Sequence, residues 1–481
     1  MVEQIIANQG ISFNDLENQI HRQLCEVGCG LLEEILETID NKIMAQRPVS
    51  KYSNLGFRAT HIETVMGRVD FKRRVYSFLD EEGQKRRVFL LDEKINLFGV
   101  GKMSSALIEV IAKQISVDAF RPAANAISTM TGIQISHGCV WNMAQKIGEK
   151  IKEVEDQSIA LYKAEQITGQ KEVDVLFEEA DGVYLKLQGK DRKRHGKAKE
   201  LKVAVTYEGW KEKGKNRFIL ENKKFCSSFE SSKAFNFLKE SMIASQYNKD
   251  EIKARFQNGD GALWIHEQLD GSIVSQLDPF HIKKALIRNI RNKENRKTVD
   301  MLLNSKKISL ALEVIETLKN NAENEKEEKR LKDLYTYFNN NRDILVPYRE
   351  RGIILPKLPE GLIYRGMGTM EHHICDVIAQ RMKGRKGSWS ISGGSNMARI
   401  LCAKKSKQLF EIIRAKLIPI IPSQYERIVT DILSAGKVPQ KIGKGSDGNI
   451  RHGGMPFKGV AVTNGRKAIQ QLLEINYSFI Y

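Results

Sequence analysis

Apolar positions recur at helical spacing near the start of the chain: Leu16, Ile20 and Leu24, then Leu31, Leu32, Ile35, Leu36 and Ile39. This predicts helix from residue 1 to about 50. From about 55 to 98 the period shortens. IETVMGRVDFKRRVYSFLD and KRRVFLLDE are β-branched and aromatic stretches around Asp80-Glu81-Glu82-Gly83, which predicts a hairpin. Helical spacing returns over 100–150. A helix over residues 123–130 meets Thr131-Gly132, and Ser136 stands where an N-cap belongs for a helix running to about Lys150. Two helices about a glycine-containing turn have helix-turn-helix spacing, an arrangement that in a DNA-binding protein would put the second helix in a major groove. His137, Trp141, Asn142 and Gln145 are candidates for its exposed face; a plain packing hairpin gives the same pattern.

Between 172 and 278 strands and a helix alternate. EVDVLFEEADGVYLKL, LKVAVTYEGW and NRFILENKKFCSSF read as three strands. SSKAFNFLKESMIAS reads as a helix capped by Ser231 or Ser232, and ARFQNGDGALWI and GSIVSQLD as two further strands. The expected fold is α/β with a mixed sheet. From Phe280 to Val346 neither proline nor glycine occurs, so this Lys/Glu-rich block is expected to be helical. A further helix starts near Met370 and runs to about Met382. The tail from about 436 is Gly-rich and basic, hence a loop; its GKGSDG lacks P-loop spacing.

The expected organisation is an accessory domain over 1–98 and a helical DNA-binding region with the helix-turn-helix candidate over 99–168. A first core segment covers 169–280, a helical insertion 281–346, a last core segment 347–410 and a basic C-terminal region 411–481.

Composition sharpens this. The chain has 481 residues, 41% of them apolar and 28% charged, enough for a buried core and incompatible with wholesale disorder. No apolar run reaches the ~18 residues of a membrane span, and the N-terminus lacks a secretion signal. A cytoplasmic protein without membrane contact is expected. The six cysteines include no CxxC, so reduced thiols are expected in place of a zinc site. The net charge of +18 favours a polyanionic partner, because neutralised phosphates release counterions.

Three acids stand out by context: Asp181 within a strand, Asp260 at a strand end, and Glu371 opening the late helix. A carboxylate in an apolar strand is costly unless paired or metal-bound, and Gly182 and Gly261 would leave room for a phosphate backbone. Two strand acids and a helical Glu are what an RNase H-like core needs to hold two Mg²⁺ (or Mn²⁺) ions, one activating the attacking oxygen and the other stabilising the leaving oxygen. The segment from Lys186 to Lys224 carries 14 Lys/Arg against 5 Asp/Glu. Its Arg192, Lys193, Arg194, His195 and Lys197 are expected beside Asp181 as a DNA-binding surface. Arg381, Lys383, Arg385 and Lys386 follow the Glu371 helix in the same role, with Trp389 either stacking on a base or buried. His372 and His373, about 100° apart on a helix, cannot both face one metal.

The ordered set EADG (Asp181), NGDGALWI (Asp260), DPFH (Asp278 to His281) and EHHICDVIAQRMKGRKGSWSISGGSNMARIL (Glu371) resembles insertion-sequence transposases of the ISLre-two family, whose broader relatives are Mutator-like. The resemblance runs from near 60 to about 410. It implies an RNase H-like DDE core with an all-helical insertion between the second Asp and the Glu. It also implies Asp181, Asp260 and Glu371 as catalytic metal ligands, with Asp278 and His281 as accessory residues. Glu360 is a weaker candidate for the Glu, in a Pro/Gly context. The implied function is metal-dependent cleavage and transfer of DNA strands, with the element's terminal inverted repeats and target DNA as partners. The protein would be a homo-oligomer during catalysis, in the bacterial cytoplasm at the nucleoid. Two alternatives remain: a transposase-derived protein that binds DNA without cutting it, and a nuclease for branched or hybrid nucleic acid.

Overall fold

A computed structural model of the chain describes residues 12–95, 102–266, 269–384, 387–417 and 422–433. The expected loop from 436 lies outside them, as do residues 1–11, over which a helix is expected. The chain divides into two compact units. One takes residues up to 111, 121–137 and those from 413 onward; the other takes 112–120 and 138–412.

In the first unit, helix Phe13–Gln46 begins with a capping box in which Ser12 and Asp15 satisfy each other's backbone N–H. It is followed by an antiparallel sheet of strands Ser53–Thr64, Gly67–Leu79 and Lys85–Val88. Val69, Phe71 and Val75 are buried while Arg68, Asp70 and Lys72 are exposed, the period-2 alternation of a sheet with one face on a core. Ile35, Leu36, Ile39 and Ile43 supply the helical side of that core, and Tyr425 and Ile432 join it. The 422–433 segment thus completes the N-terminal core, a pairing that sequence order hides.

The helices Phe120–Met130 and His137–Lys163 both form. The division between units falls at 137–138, so the two members of the helix-turn-helix candidate belong to different units. The second helix also continues well past Lys150.

The second unit is built on a five-stranded sheet of β1 (Val175–Lys186), β2 (Ala198–Tyr207), β3 (Lys224–Ser228), β4 (Ala254–Gly259) and β5 (Val274–Leu277). Their order is β5-β4-β1-β2-β3. β1, β2 and β3 are antiparallel neighbours, whereas β4 runs parallel to β1 and β5 parallel to β4. This is the mixed α/β sheet expected from the sequence, with two corrections. NRFILENKKFCSSF is two strands: Arg217–Leu220 pairs with Trp210–Gly214 in a separate small sheet, and β3 starts only at Lys224. Asn222 breaks the run with a positive φ of 48°. ARFQNGDGALWI stops being a strand at Gly259, because Asp260 accepts the Ala262 N–H in a turn and Gly261 takes a φ of +86°. Leu263–His266 is then helical.

One sheet face packs Ala180, Ala204 and Cys226 against Phe235 and Leu238 of helix α1 (Ser232–Ala244) and against Trp264. On the other, Phe177 meets the rings of Tyr207, Trp210, Phe256 and Tyr348. Glu178 is buried but not stranded: Lys239 Nζ lies 2.6 Å from one oxygen and Arg255 2.6 Å from the other. A buried charge is tolerable only when partnered in this way.

The block without proline or glycine is helical, as expected. It forms α2 (Pro279–Asn289), α3 (Lys293–Asn304), α4 (Ile308–Asn320) and α5 (Glu325–Asn340) around its own core of Leu286, Val299, Ile315, Leu331, Leu334 and Phe338. Next comes helix α6, which opens as Met370–His373, widens to a π-helical turn over Ile374–Ala379 and closes as Gln380–Met382. Helix α7 (Ile391–Lys405) is capped by Ser390. No described helix is long and apolar enough to cross a membrane, and all six cysteines are free thiols.

Candidate metal centre

Asp181 sits on β1 opposite Val203 of β2. Its Oδ1 accepts the Gly182 N–H at 2.7 Å, which orients the carboxylate. Parallel pairing sets Glu179 against Asn258, so Asp260, just past the end of β4, emerges at the level of Asp181. Asp278 follows β5 and caps α2 by accepting the Phe280 N–H at 2.8 Å, with Pro279 in the first turn. One helical turn on, His281 faces back so that its Nε2 lies 3.6 Å from Asp181 Oδ2.

Glu371 is brought in by a buried anchor. Glu179 accepts five hydrogen bonds: from Tyr207 Oη, Asn258 Nδ2, the N–H groups of Gly368 and Thr369, and Thr369 Oγ1. The first turn of α6 is thereby fixed to β1. Gly368 takes a φ of +122°, open to glycine and strained for other residues. Donor atoms of Asp181, His281 and Glu371 consequently lie within 4.8 Å of one another.

The expected acids thus meet at one end of the sheet, but His281 shares the tight group with Asp181 and Glu371, and Asp260 stands alongside. Burial raises the Asp260 pKa, as does the charge of Asp181, against the Ala262 N–H. Burial likewise raises Asp278. For His281 burial works downward, yet the Asp181 hydrogen bond and the charges of Asp181, Asp260 and Asp278 prevail and raise its pKa. Glu360 is exposed in a turn and takes no part in this group.

The glycines do not leave the room expected of them. A Cβ on Gly182 would meet Glu200 Oε1 at 2.1 Å, and one on Gly261 would meet Asn341 Oδ1 at 2.7 Å. Glu200 is a fifth nearby acid, which the sequence did not single out; its pKa is raised by burial and by the charges of Asp260 and Asp181. Its signal was the glycine one strand away. Tyr337 was also missed, and its hydroxyl donates to the Asp260 carbonyl at 2.7 Å.

The uncharacterised protein family UPF0236 matches residues 6–414. The chain belongs to this family. A UPF0236 protein of Caldanaerobacter subterraneus subsp. tengcongensis, TTE0610/TTE0881/TTE1053/TTE2432, is 24% identical over 409 residues, covering 83% of this chain and 79% of its own. Another from that organism, whose name joins eleven designations from TTE0033 to TTE2212, is 24% identical over 412 residues, 84% of this chain and 80% of its own. The UPF0236 protein in the vanSb 3′ region of Streptococcus gallolyticus is 24% identical over 412 residues, 83% and 84% of the two chains.

The basic residues of this UPF0236 chain are distributed differently from the expectation. Arg192, Lys193, Arg194, His195 and Lys197 are exposed on and after the short helix Gly189–His195 that joins β1 to β2. They are not beside Asp181: six residues of strand separate Asp181 from Leu187, roughly 20 Å at ~3.3 Å per residue. Arg381 is turned inward, its Nε donating to the Ile115 carbonyl at 2.6 Å and its guanidinium lying over the Phe120 and Trp389 rings. Trp389 is buried and donates to the Met382 carbonyl, so base stacking is excluded. Lys383 is exposed; Arg385 and Lys386 lie outside the described residues. On the long helix, His137, Trp141 and Asn142 are exposed, but Gln145 accepts from Asn396 Nδ2 at 3.0 Å and does not face outward. His373 is buried edge-on against Phe225, and burial lowers its pKa to about 4. His372 is exposed.

Proposed function

We propose that this UPF0236 protein is a DDE transposase: an enzyme with an RNase H-like core that cuts DNA at the ends of an insertion element and joins the freed ends to target DNA. The convergence of Asp181, His281 and Glu371 within 4.8 Å, with Asp260 beside them, carries this reading. Carboxylates so close repel one another unless a cation is shared. Three carboxylates suit a hard divalent ion such as Mg²⁺, and the imidazole is acceptable to Mn²⁺. Support also comes from the sheet, whose first three strands are antiparallel and whose last two run parallel to the first. The helical insertion lies between Asp260 and Glu371, as the ISLre-two resemblance implies. The eleven designations joined in one relative's name are what repeated copying within a genome would leave.

In this reading Asp181, Asp260 and Glu371 hold two divalent ions, with Asp278 and His281 as accessory groups. Bound there, the ions supply charge neutralisation at the scissile phosphate and at the attacking and leaving oxygens. The protein's own contribution is positioning. Glu179 holds the Glu371 helix to the Asp181 strand, Gly182 N–H orients Asp181, and the Asp278 cap aims His281 at it. Exposed Arg192, Lys193, Arg194 and Lys383 would bind phosphates, and two DNA ends would be paired by at least two copies of the chain.

The test is a cleavage assay on DNA flanking the protein's own gene, with Mg²⁺, Mn²⁺ or neither, beside Asp181→Asn and Asp260→Asn. Metal-dependent nicks at fixed positions, absent in both variants while DNA binding persists, are the expected result. Salt-sensitive binding without cutting in either metal would overturn the enzymatic reading in favour of a DNA-binding protein. Cutting independent of terminal sequence would indicate a nuclease.

A further inference from the structure

A cleft of about 530 Å³ opens next to the acidic cluster, between α2 and α5 of the helical insertion. Asp260 and His281 form one wall. Lys284, Arg288 and Arg330 also line it, together with Tyr337, Leu334 and the carboxylate of Asp333, so three cations face two acids. Arg330 Nε is buried in the structure without a hydrogen-bond acceptor, an arrangement that costs free energy unless an anion completes it. Tyr337 is held in place by its bond to the Asp260 carbonyl. The volume is within the range of small-ligand sites and too small for a duplex. Three cations and an aromatic ring lining one cleft suit a phosphate joined to a flat base.

We propose that this cleft takes a single unstacked nucleotide of the DNA strand being cut, next to the scissile phosphate, with its phosphate on Arg288, Arg330 and Lys284 and its base against Tyr337. This rests on the DNA-processing reading above and gives the helical insertion a role in it. An occupant of the cleft necessarily abuts Asp260 and His281, so it would set which phosphodiester meets the carboxylates. The three cations come from two helices about 40 residues apart in sequence. Lys284 and Arg288 share a face by their spacing of four, but nothing in the sequence joins Arg330 to them.

The experiment uses the full chain with Ca²⁺ and element-end DNA in which single thymines are replaced in turn by 5-iodouracil. The expected photo-cross-link is confined to one nucleotide position and maps to residues 281–289 or 325–340. Arg288→Ala and Arg330→Met, which retains the apolar stem, should each weaken binding by about tenfold and lower the salt slope by about one. Lys283→Ala, on the same helix but outside the cleft, should leave both nearly unchanged. DNA that is bound and cut while cross-linking elsewhere, with the two arginine variants indistinguishable from wild type, would overturn the cleft assignment and leave the transposase reading standing. Failure of the wild-type chain to bind DNA at all would overturn both. Arg288 is exposed, so its variant remains informative if Arg330→Met folds poorly.

Discussion

The Glu179 carboxylate accepts the Thr369 backbone N–H at 2.8 Å and the Thr369 hydroxyl at 2.7 Å. Each partner lies two residues before a member of the metal centre, Asp181 in one case and Glu371 in the other. One buried acid therefore spaces the centre. Glu179→Gln would turn an NH₂ group either toward the Tyr207 and Thr369 hydroxyls, which must then reverse and accept, or toward three N–H donors, which would be left unsatisfied. A loss of about 2–4 kcal/mol of stability is expected, with divalent-ion affinity falling further than Thr369→Val lowers it. Urea unfolding with parallel Mn²⁺ titration measures both. Unchanged ion affinity in Glu179→Gln would refute the spacing role.

Asp260 is raised by its burial and by Asp181, so in metal-free protein its charge opposes folding. Asp260→Asn keeps an acceptor for the Ala262 N–H and removes that charge. In EDTA the variant should be more stable than wild type by about 1 kcal/mol. Adding Mg²⁺ should raise the melting temperature of wild type more than that of the variant. Differential scanning calorimetry with and without the ion decides it.

His281 titrates above its ordinary value in the folded chain because Asp181, Asp260 and Asp278 outweigh its burial. A raised folded pKa means that its contribution is fully present below the unfolded value of about 6.5 and disappears as pH rises through the folded one. In EDTA the stability gap between wild type and His281→Asn should be widest near about pH 5.5 and close toward about pH 9. A gap that grows with pH would show that the Asp181 contact does not hold the proton.

Gly148 lies where the helix His137–Lys163 crosses α7, and a Cβ there would sit 2.3 Å from Asn396 Cβ. Alanine favours helix by up to about 1 kcal/mol over glycine, but overpacking costs about 1–3 kcal/mol. Gly148→Ala should therefore destabilise the second unit on balance, read as a lower denaturation midpoint without a change of slope.

The secondary-structure elements were largely legible in the sequence. Periodicity located the first helix, the strand that carries Asp181, the strand that ends just before Asp260, the insertion and the Glu371 helix, because apolar spacing directly records which face each element buries. Capping chemistry did the same for the helix with Ser231 or Ser232 as its expected cap, where Ser231 is the cap. Asp181 and Asp260 were legible because a charge in or at the end of an apolar strand is costly without a purpose. Glu371 stood out as the acid that opens a late helix, and His281 came only from the DPFH motif of the ISLre-two resemblance.

Which of these residues share a space follows from long-range packing. Strand order and parallel register set Asp260 level with Asp181, and the Glu179 anchor brought Glu371 more than 180 residues to meet them. Side-chain direction decided the rest. Arg381 and Gln145 look like nucleic-acid contacts in sequence, but each satisfies a neighbour within the fold. Glu200, Arg330 and Tyr337 look like ordinary surface or core residues, yet packing delivers them to the centre or its cleft. Local pattern cannot encode these outcomes, because hydrogen bonds and charge interactions depend on distances set by chain segments far apart in sequence.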